Sequence, residues 1–378
     1  MRFTSVVVLA LSLVPPALAA PAPLISVEKF DGQTNGKFII KFKKEVSTAS
    51  WYDKLSLHPD SVVEFDLLNG FASHLDTDTL NTLRASKDVE YIAEDGLVHA
   101  FDTQTNAPWG LNRISSPAKL LSGSATGAAA YTYTYDPSAG QGVDVYIVVT
   151  GLQDDFGGRA KWGKTVGGYN SADGLGHGTH CAGTIGGTQY GVAKKATLIA
   201  VKVLDDNGSG TISDMHTQAA STGNPSIVSM SLGGNANTAL DDAVTTLIAS
   251  GVHVVVAAGN ESRDAKNVSP ARVAAAITVG ASDITDAMAS FSNFGPIVDV
   301  FAPGVSVLSA WKGSNTATNV ISGTSMATPH VAGLVAYLIG KDGNDTPAAI
   351  AAKVVSLSLK ETLTKIPSGT VNDLAHNA

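Results

Sequence analysis

The chain has 378 residues, of which 44% are hydrophobic and 15% charged, with 38 glycines and a formal net charge of −8. This composition excludes a disordered protein and predicts one large domain beside a small one. The acidic balance carries no basic stripe, so neither nucleic acid nor an anionic membrane surface is expected as a partner. Cys181 is the only cysteine, which excludes an intramolecular disulfide. We interpret it as a small buried residue rather than a nucleophile.

The first twenty residues have the pattern of a secretory signal. Arg2 precedes an apolar run at 6–14, and small residues at 17–19 predict cleavage near Ala19 or Ala20. The apolar run is too short for a membrane span. We therefore expect a secreted, extracellular protein with no membrane partner.

Residues 21–101 are predicted to form a small α+β unit. The patterns indicate strand, helix, strand, strand, helix and strand, at 37–43, 48–55, 61–67, 70–75, 79–85 and 88–92. That order is typical of a ferredoxin-like sandwich. Polar residues at 99–106 predict a linker with a processing site, and residues 102–378 form the larger domain.

The larger domain alternates apolar runs of strand length with stretches that can hold helices. The runs lie at 143–149, 197–203, 227–232, 252–257 and 275–279. Runs buried on both faces and joined by crossovers predict a doubly wound, mostly parallel α/β sheet. Ligands are expected at the carboxyl ends of its strands.

A glycine-led turn precedes a helix predicted over 326–339, and Ser325 stands between them in the sequence GTSMATPH. The free N–H groups at a helix N-terminus could hold an oxyanion while Ser325 attacks a carbonyl carbon. Ser325 is therefore the candidate nucleophile. The competing interpretation is an ordinary helix-capping serine.

A second motif, GLGHGTHCAG at 174–183, places His177 at the start of a helix with small side chains. Such a helix can lie close to the one that carries Ser325, which makes His177 the candidate general base. The competing interpretation is a metal site formed with His180, and the absence of an adjacent third ligand disfavours it.

A third motif, VVAAGN at 255–260, ends a strand with an amide side chain. Asn260 could donate its N–H to the oxyanion opposite the backbone N–H of Ser325. The competing interpretations are a turn residue and a glycan acceptor.

Together, the three motifs resemble the subtilisin-like serine peptidases, and most closely their secreted, fungal, proteinase K-like branch. The chain order of His177, Asn260 and Ser325 is that of subtilisin. Further segments that match the branch are 107–115, 202–210, 231–234 and 290–295. Segments 69–72 and 89–95 resemble the inhibitory propeptide of these peptidases, so the resemblance implies a zymogen that its own propeptide inhibits.

The resemblance also implies a substrate cleft for polypeptides. An extended peptide would pair between two backbone segments, which are Gly208, Ser209 and Gly210 on one side and Ser231, Leu232 and Gly233 on the other. Ala257, Ala258 and Gly259 would complete an apolar wall that suits a hydrophobic or aromatic side chain. Broad endopeptidase specificity with a hydrophobic P1 residue follows.

No cofactor is expected for catalysis, but the resemblance implies a structural calcium ion. Asp299 matches its carboxylate ligand, with main-chain carbonyls near Ala274 and Ala276 as further ligands; a solvated aspartate is the competing interpretation. Candidate glycosylation sites are Asn207, Asn267 and Asn344. We expect a monomer by default.

The sequence departs from the family at the triad aspartate. The family's Ile-Val-Asp-Thr-Gly-like stretch is here IVVTG at 147–151, so Val149 occupies the aspartate position, and the loop that follows is shorter. Asp154 or Asp155 in this loop could approach His177. Valine can neither fix the histidine tautomer nor stabilise the imidazolium.

Three functional interpretations follow from this departure. The first is a secreted endopeptidase with impaired activity. The second is a pseudoprotease that binds peptides or its propeptide without cutting them. The third is a misassembled reading of the gene of an active enzyme, because the lost aspartate and the shortened loop coincide.

Overall fold

The computed structural model describes residues 24–30, 34–58, 61–65, 68–96, 102–120, 126–150, 156–211 and 223–377. The chain divides into two compact units, residues 1–97 and residues 98–378. The predicted signal peptide, Asp154 and Asp155 lie outside the described residues.

The smaller unit has the predicted order of elements with one short strand added in front. Its elements are β1 (Val27–Glu28), β2 (Thr34–Phe42), α1 (Thr48–Leu55), β3 (Val62–Phe65), β4 (Gly70–Ser73), α2 (Thr77–Arg84) and β5 (Val89–Gly96). The sheet has the order β1-β5-β2-β4-β3, with β1 parallel to β5 and the other pairs antiparallel. Trp51 of α1 and Leu83 of α2 share one core with residues of the sheet. This is the predicted ferredoxin-like arrangement.

The larger unit is built on a nine-stranded sheet. Its elements are β6 (Asp102–Pro108), α3 (Trp109–Ser115), β7 (Ala129–Tyr135), β8 (Asp144–Val149), β9 (Ala160–Thr165), α4 (His177–Gly186), β10 (Thr197–Lys202), β11 (Ser226–Met230), β12 (Gly234–Asn235), α5 (Thr238–Ala249), β13 (His253–Ala257), β14 (Val268–Ser269), β15 (Ile277–Ser282), β16 (Val300–Pro303), β17 (Val307–Ala310), β18 (Thr318–Ile321), α6 (Thr324–Asp342), α7 (Pro347–Leu357), β19 (Leu359–Lys360) and β20 (Asp373–Leu374).

The sheet has the strand order β19-β20-β16-β15-β13-β11-β8-β10-β9. All neighbouring strands are parallel except β19 and β20. The chain runs outward in opposite directions from the neighbours β8 and β11, which makes their carboxyl ends the topological switch point. The predicted doubly wound sheet is confirmed, and the site residues are expected at this edge.

The two faces of the sheet are covered by different helices. Ile147 and Val149 of β8 belong to the core that contains α4 and α6, whereas Val148 belongs to the core that contains Val244 of α5. This alternation is the period of two expected of a strand, and burial of both faces explains the continuous apolar run. Val149 therefore points toward α4 and α6.

Helices α4 and α6 lie unusually close together because their contact is made by small residues. A Cβ atom on Gly333 of α6 would lie 2.8 Å from Cβ of Val192 and 2.9 Å from the carbonyl oxygen of Ile185 in α4. Only glycine allows this approach, and nearer the N-termini of the two helices Sγ of Cys181 lies 3.5 Å from the carbonyl oxygen of Ser325. Among the described residues, no helix has both the length and the apolar character needed to cross a membrane.

Candidate active site

Three of the four predicted catalytic positions lie in or next to elements that meet at the switch-point edge. His177 is the first residue of α4, Ser325 is in the first turn of α6, and Val149 ends β8. Asn260 follows β13 by three residues and is exposed. Ser325 and His177 are half-buried.

Ser325 is tied to the end of β11 by two hydrogen bonds. Its Oγ donates to the carbonyl oxygen of Ser231 at 3.4 Å, and Oγ of Ser231 donates back to the carbonyl oxygen of Ser325 at 2.9 Å. That second carbonyl is available because Pro329, four residues later in α6, has no N–H to offer it. The candidate nucleophile is thus held by Ser231, which belongs to the segment predicted to bind substrate.

Two hydrogen bonds to the side-chain carbonyl oxygen fix the orientation of the Asn260 amide group. Its amide nitrogen can then donate to a ligand. Oδ1 accepts the backbone N–H of Thr324 at 2.7 Å and the Thr324 hydroxyl at 3.0 Å. A Cβ atom on Gly323 would lie 3.6 Å from the backbone nitrogen of Ser325, 3.7 Å from Oδ1 of Asn260 and 3.8 Å from its Nδ2. The amide group of Asn260 therefore lies beside the N-terminus of α6, a position compatible with an oxyanion hole.

The loop that carries Asn260 is fixed by Asn293, which sequence reasoning did not single out. Oδ1 of Asn293 accepts the N–H groups of Glu261 at 3.1 Å and Arg263 at 3.0 Å, and its Nδ2 donates to the carbonyl oxygen of Ala258 at 2.8 Å. Gly259 has a φ of 104°, and a Cβ there would collide with Nδ2 of Asn293. Its position in the matching segment 290–295 was the available signal.

Among the described residues, no carboxylate contacts the Nδ1 atom of His177. Within the described residues, the imidazole has one hydrogen-bond contact, between Nδ1 and Sγ of Cys181 at 4.0 Å, and none with Ser325. Burial lowers the pKa of His177, and the negative charge of Asp173 opposes this effect. The side chain is therefore neutral near neutral pH, as a general base must be.

Asp173 and Thr150 hold the N-terminus of α4, and neither role was predicted. Oδ1 of Asp173 accepts the Thr150 hydroxyl and the N–H of Gly176, both at 2.8 Å. Oδ2 accepts the N–H and the hydroxyl of Thr179 at 2.8 and 2.6 Å, and the Thr150 hydroxyl accepts the N–H of Gly178 at 2.9 Å. Burial opposes the charge on Asp173, but these bonds outweigh it and lower its pKa. An aspartate just before a predicted helix start was the available signal.

Val149 is fully buried at the end of β8 and pairs with Lys202 of β10. Its carbonyl oxygen accepts the N–H groups of Val203 at 3.0 Å and Leu204 at 3.3 Å. The backbone of Val149 therefore keeps the hydrogen bonds of a strand at the end of β8.

A cleft of 460 Å³ lies beside His177. All six residues predicted to pair with substrate line it: Gly208, Ser209, Gly210, Ser231, Leu232 and Gly233. Leu175 and Leu204 add an apolar wall that was not predicted. Ala257, Ala258 and Gly259 are not among the lining residues; Ala257 ends β13, and Ala258 and Gly259 connect it to Asn260.

Asp299 and His180 are not among the residues that line this cleft. Oδ2 of Asp299 accepts the N–H of Thr278 at 2.7 Å, and burial raises the pKa of Asp299 to about 6. Nε2 of His180 contacts the carbonyl oxygen of Val307 at 3.0 Å inside the core. The described residues contain no group of three His, Cys, Asp or Glu side chains that could hold a metal ion, which disfavours a site formed by His177 and His180. The candidate glycosylation sites Asn207, Asn267 and Asn344 are all exposed.

Comparison with known proteins agrees with this geometry. Residues 122–372 match the model of the subtilase family, and residues 37–101 match that of the peptidase inhibitor I9 family. The chain belongs to the subtilase family. As the sequence predicted, this subtilase carries an inhibitor domain in front of its subtilisin-like serine protease domain.

Several fungal proteases are similar to this subtilase over almost its whole length. The alkaline serine protease ver112 of Corniculantispora psalliotae is 45% identical over 97% of both chains. The cuticle-degrading protease of Metarhizium anisopliae is 44% identical over 97% of this chain and 98% of its own. A crystal structure of a cold-adapted subtilisin-like serine proteinase has a TM-score of 0.63 and 41% identity, and covers 72% of this chain and 99% of its own.

Proposed function

We propose that this subtilase is a secreted serine endopeptidase, made as a zymogen, whose turnover is impaired because Val149 replaces the triad aspartate. The observation that carries the proposal is the pair of hydrogen bonds by which Thr324, the neighbour of Ser325, holds Oδ1 of Asn260 at the start of α6. We assign to Asn260 and to the backbone N–H of Ser325 the stabilisation of the oxyanion.

In the proposed reaction, Ser325 Oγ attacks the scissile carbonyl carbon while its proton passes to Nε2 of His177. The carbonyl oxygen becomes an oxyanion that accepts the N–H groups of Ser325 and Asn260. His177 then returns the proton to the leaving amine, and water hydrolyses the acyl-enzyme by the same route. The Ser325 hydroxyl must leave the Ser231 carbonyl oxygen for this step.

The substrate is an extended polypeptide that pairs with residues 208–210 and 231–233 on the two sides of the cleft. Backbone pairing does not read side chains, so cleavage has broad sequence tolerance. We assign hydrophobic P1 preference to the apolar wall near Ala257, Ala258 and Gly259. Leu175 and Leu204 add apolar side chains to the cleft beside His177.

The residual activity depends on how much the missing carboxylate contributes. In subtilisin itself, loss of the aspartate alone lowers kcat about 3 × 10⁴-fold. The rate enhancement that remains comes from the oxyanion hole and from substrate binding. That magnitude was measured on subtilisin. It sets the expected scale for a chain with Val149 in the same place.

Secretion, calcium binding, glycosylation and a monomeric state complete the proposal. The relatives that match this chain over almost its whole length are fungal proteases. This supports the proposal that residues 1–20 direct secretion. We assign the calcium ligand to Asp299, whose half-buried carboxylate accepts the N–H of Thr278 through Oδ2. Calcium would draw its other ligands from main-chain carbonyls near Ala274 and Ala276 and from water.

A pseudoprotease that binds peptides is the second candidate, and Val149 is the observation that favours it. Hydrolysis of an aromatic-ended chromogenic peptide by the parent, Ser325→Ala and Val149→Asp variants separates the two candidates. Activity of the parent clearly above Ser325→Ala supports the peptidase. Equal rates for those two, with a gain only in Val149→Asp, would overturn it in favour of the pseudoprotease. Tight retention of the propeptide without turnover would agree with the latter.

A further inference from the structure

Sγ of Cys181 contacts both Nδ1 of His177 and the backbone carbonyl oxygen of Ser325. Cys181 is four residues after His177 in α4, so both side chains are on the same helix face. The 4.0 Å contact between Sγ and Nδ1 is the imidazole's one hydrogen-bond contact among the described residues. We propose that Cys181 is a positioning residue that keeps the proton of neutral His177 on Nδ1. This inference rests on the proposed function.

The direction of the thiol proton decides which role the sulfur can take. The Cys181 thiol donates to the carbonyl oxygen of Ser325 at 3.5 Å. This carbonyl lacks its helical partner because Pro329 has no N–H, so the thiol meets an available acceptor. With its proton engaged there, sulfur presents lone pairs to His177 and acts as a weak acceptor for Nδ1–H.

The tautomer follows from this arrangement. A ring nitrogen that faces an acceptor carries the proton, and the other nitrogen is then free to accept one. With hydrogen on Nδ1, Nε2 is the basic atom, which is the form that a triad histidine needs. The missing aspartate had two tasks, to select this tautomer and to stabilise the imidazolium. Cys181 performs the first task alone.

The second task is beyond Cys181 because its thiol is neutral. Burial raises the pKa of Cys181 to about 12, so no thiolate is present to attract the imidazolium. Asp173 is the carboxylate whose charge acts on His177 among the described residues, and it does so without an ion pair. The proposal therefore predicts a modest contribution that affects kcat and not substrate binding.

The direct test is the tautomer of His177, measured by two-bond ¹H–¹⁵N correlation NMR at a pH above the imidazole pKa. The parent is compared with Cys181→Ala, both in a Ser325→Ala background that prevents autolysis. A His177→Gln variant assigns the resonance among the nine histidines. We expect Nδ1–H in the parent and a shift toward Nε2–H in Cys181→Ala. An unchanged tautomer would overturn the proposal, whether or not the chain hydrolyses peptides.

A double-mutant cycle with Val149→Asp gives the kinetic test. In the parent, Cys181→Ala should lower kcat about three- to tenfold, the scale of one weak hydrogen bond, with KM unchanged. In Val149→Asp, a carboxylate fixes the tautomer, and the same substitution should change kcat less than twofold, roughly within additivity error. An equal fall in both backgrounds would show a packing effect and refute the proposal.

Cys181→Ser serves as the matched control for folding and polarity. Serine keeps a donor and an acceptor at this position with a smaller atom, so we expect it to retain the Nδ1–H tautomer. Thermal unfolding midpoints are measured for all variants. If Cys181→Ala does not fold, the tautomer of His177 is measured in Cys181→Ser instead. Loss of the proton from Nδ1 in that variant would contradict the proposal that the polar side-chain atom at position 181 selects the tautomer. If the parent shows no Ser325-dependent hydrolysis, the proposed function fails while the NMR result still judges this inference.

Discussion

Both oxygens of Asp173 accept hydrogen bonds from the first turn of α4, and Thr179 alone supplies two of them, at 2.8 and 2.6 Å. The carboxylate is buried and carries its charge at the helix N-terminus, where the helix dipole favours an anion. Because His177 opens the same turn, the position of the candidate base depends on this capping interaction.

We expect Asp173→Asn to destabilise the larger unit by about 1–3 kcal/mol. An asparagine offers one acceptor oxygen to the donors that now share two, so at least one buried donor loses its partner. Urea unfolding measures the loss. Asp264→Asn is the matched control, because Asp264 also caps a turn, at the N–H of Lys266, but is partly exposed. A similar loss in both variants would contradict a special role for the buried cap.

The same substitution should shift the pH dependence of stability in a defined direction. The folded-state pKa of Asp173 is below its ordinary value, so its contribution is fully present above the unfolded-state pKa and disappears as pH falls through the folded-state value. At acidic pH, the free energy of unfolding should therefore decrease less steeply in Asp173→Asn than in the parent. If the decrease is equally steep in both, other carboxylates cause the acid sensitivity.

A buried ion pair fixes the segment at the start of the larger unit. Arg113 Nε and Nη2 donate to the two carboxylate oxygens of Asp286 at 2.7 and 3.1 Å, and both side chains are almost fully buried. Asp286→Asn leaves the guanidinium uncompensated, and we expect a loss of about 3–5 kcal/mol. Denaturant titration checks it. Asp373→Asn, which breaks the surface pair with Lys360, should cost no more than about 1 kcal/mol. Equal losses would mean that burial does not govern the effect.

Most of the fold and part of the site were predictable from sequence, because hydrophobic periodicity and short motifs carry that information. The apolar runs predicted the parallel strands, and the motifs predicted Ser325, His177 and Asn260. The predicted helix over 326–339 was too short by two residues at its start, since Thr324 and Ser325 already lie in the first turn of α6. A glycine before a helix does not reveal where the helical turn begins.

What sequence could not supply were contacts between residues distant along the chain. Asn293 supports Asn260 from 33 residues away, and the thiol of Cys181 meets the carbonyl oxygen of Ser325. Neither pairing has a local pattern. Cys181 was correctly predicted to be buried, and its contact with His177 gives that burial a chemical consequence.

The raised pKa of Asp299, about 6, predicts an unusual pH response in the absence of calcium. The folded state favours the protonated carboxyl, so this group's contribution is present at low pH and is lost as pH rises from about 4 toward 6. This pKa difference corresponds to at most about 3 kcal/mol in the free energy of unfolding. Partial solvent exposure of the carboxylate reduces that value. In a chelator, unfolding midpoints should fall over this range more in the parent than in Asp299→Asn. Added calcium should restore the parent above pH 6 and leave Asp299→Asn unchanged. If calcium raised the unfolding midpoint of Asp299→Asn as well, calcium would bind at a site that does not use Asp299.

Asn260→Ala tests the oxyanion hole separately from the triad. Removing one such donor costs about 10²–10³ in kcat in subtilisin, a value measured on that relative. We expect a fall of this order in a Val149→Asp background, where rates are easily measured, with little change in KM because the donor acts on the transition state. Asn267→Ala removes an exposed amide outside the site and serves as the control. Asn260→Asp keeps the oxygen that accepts from Thr324 but removes the Nδ2 donor, so it should be as slow as Asn260→Ala. If Asn260→Asp retained full activity, the contribution of Asn260 would lie in its contact with Thr324 rather than in donation to the substrate.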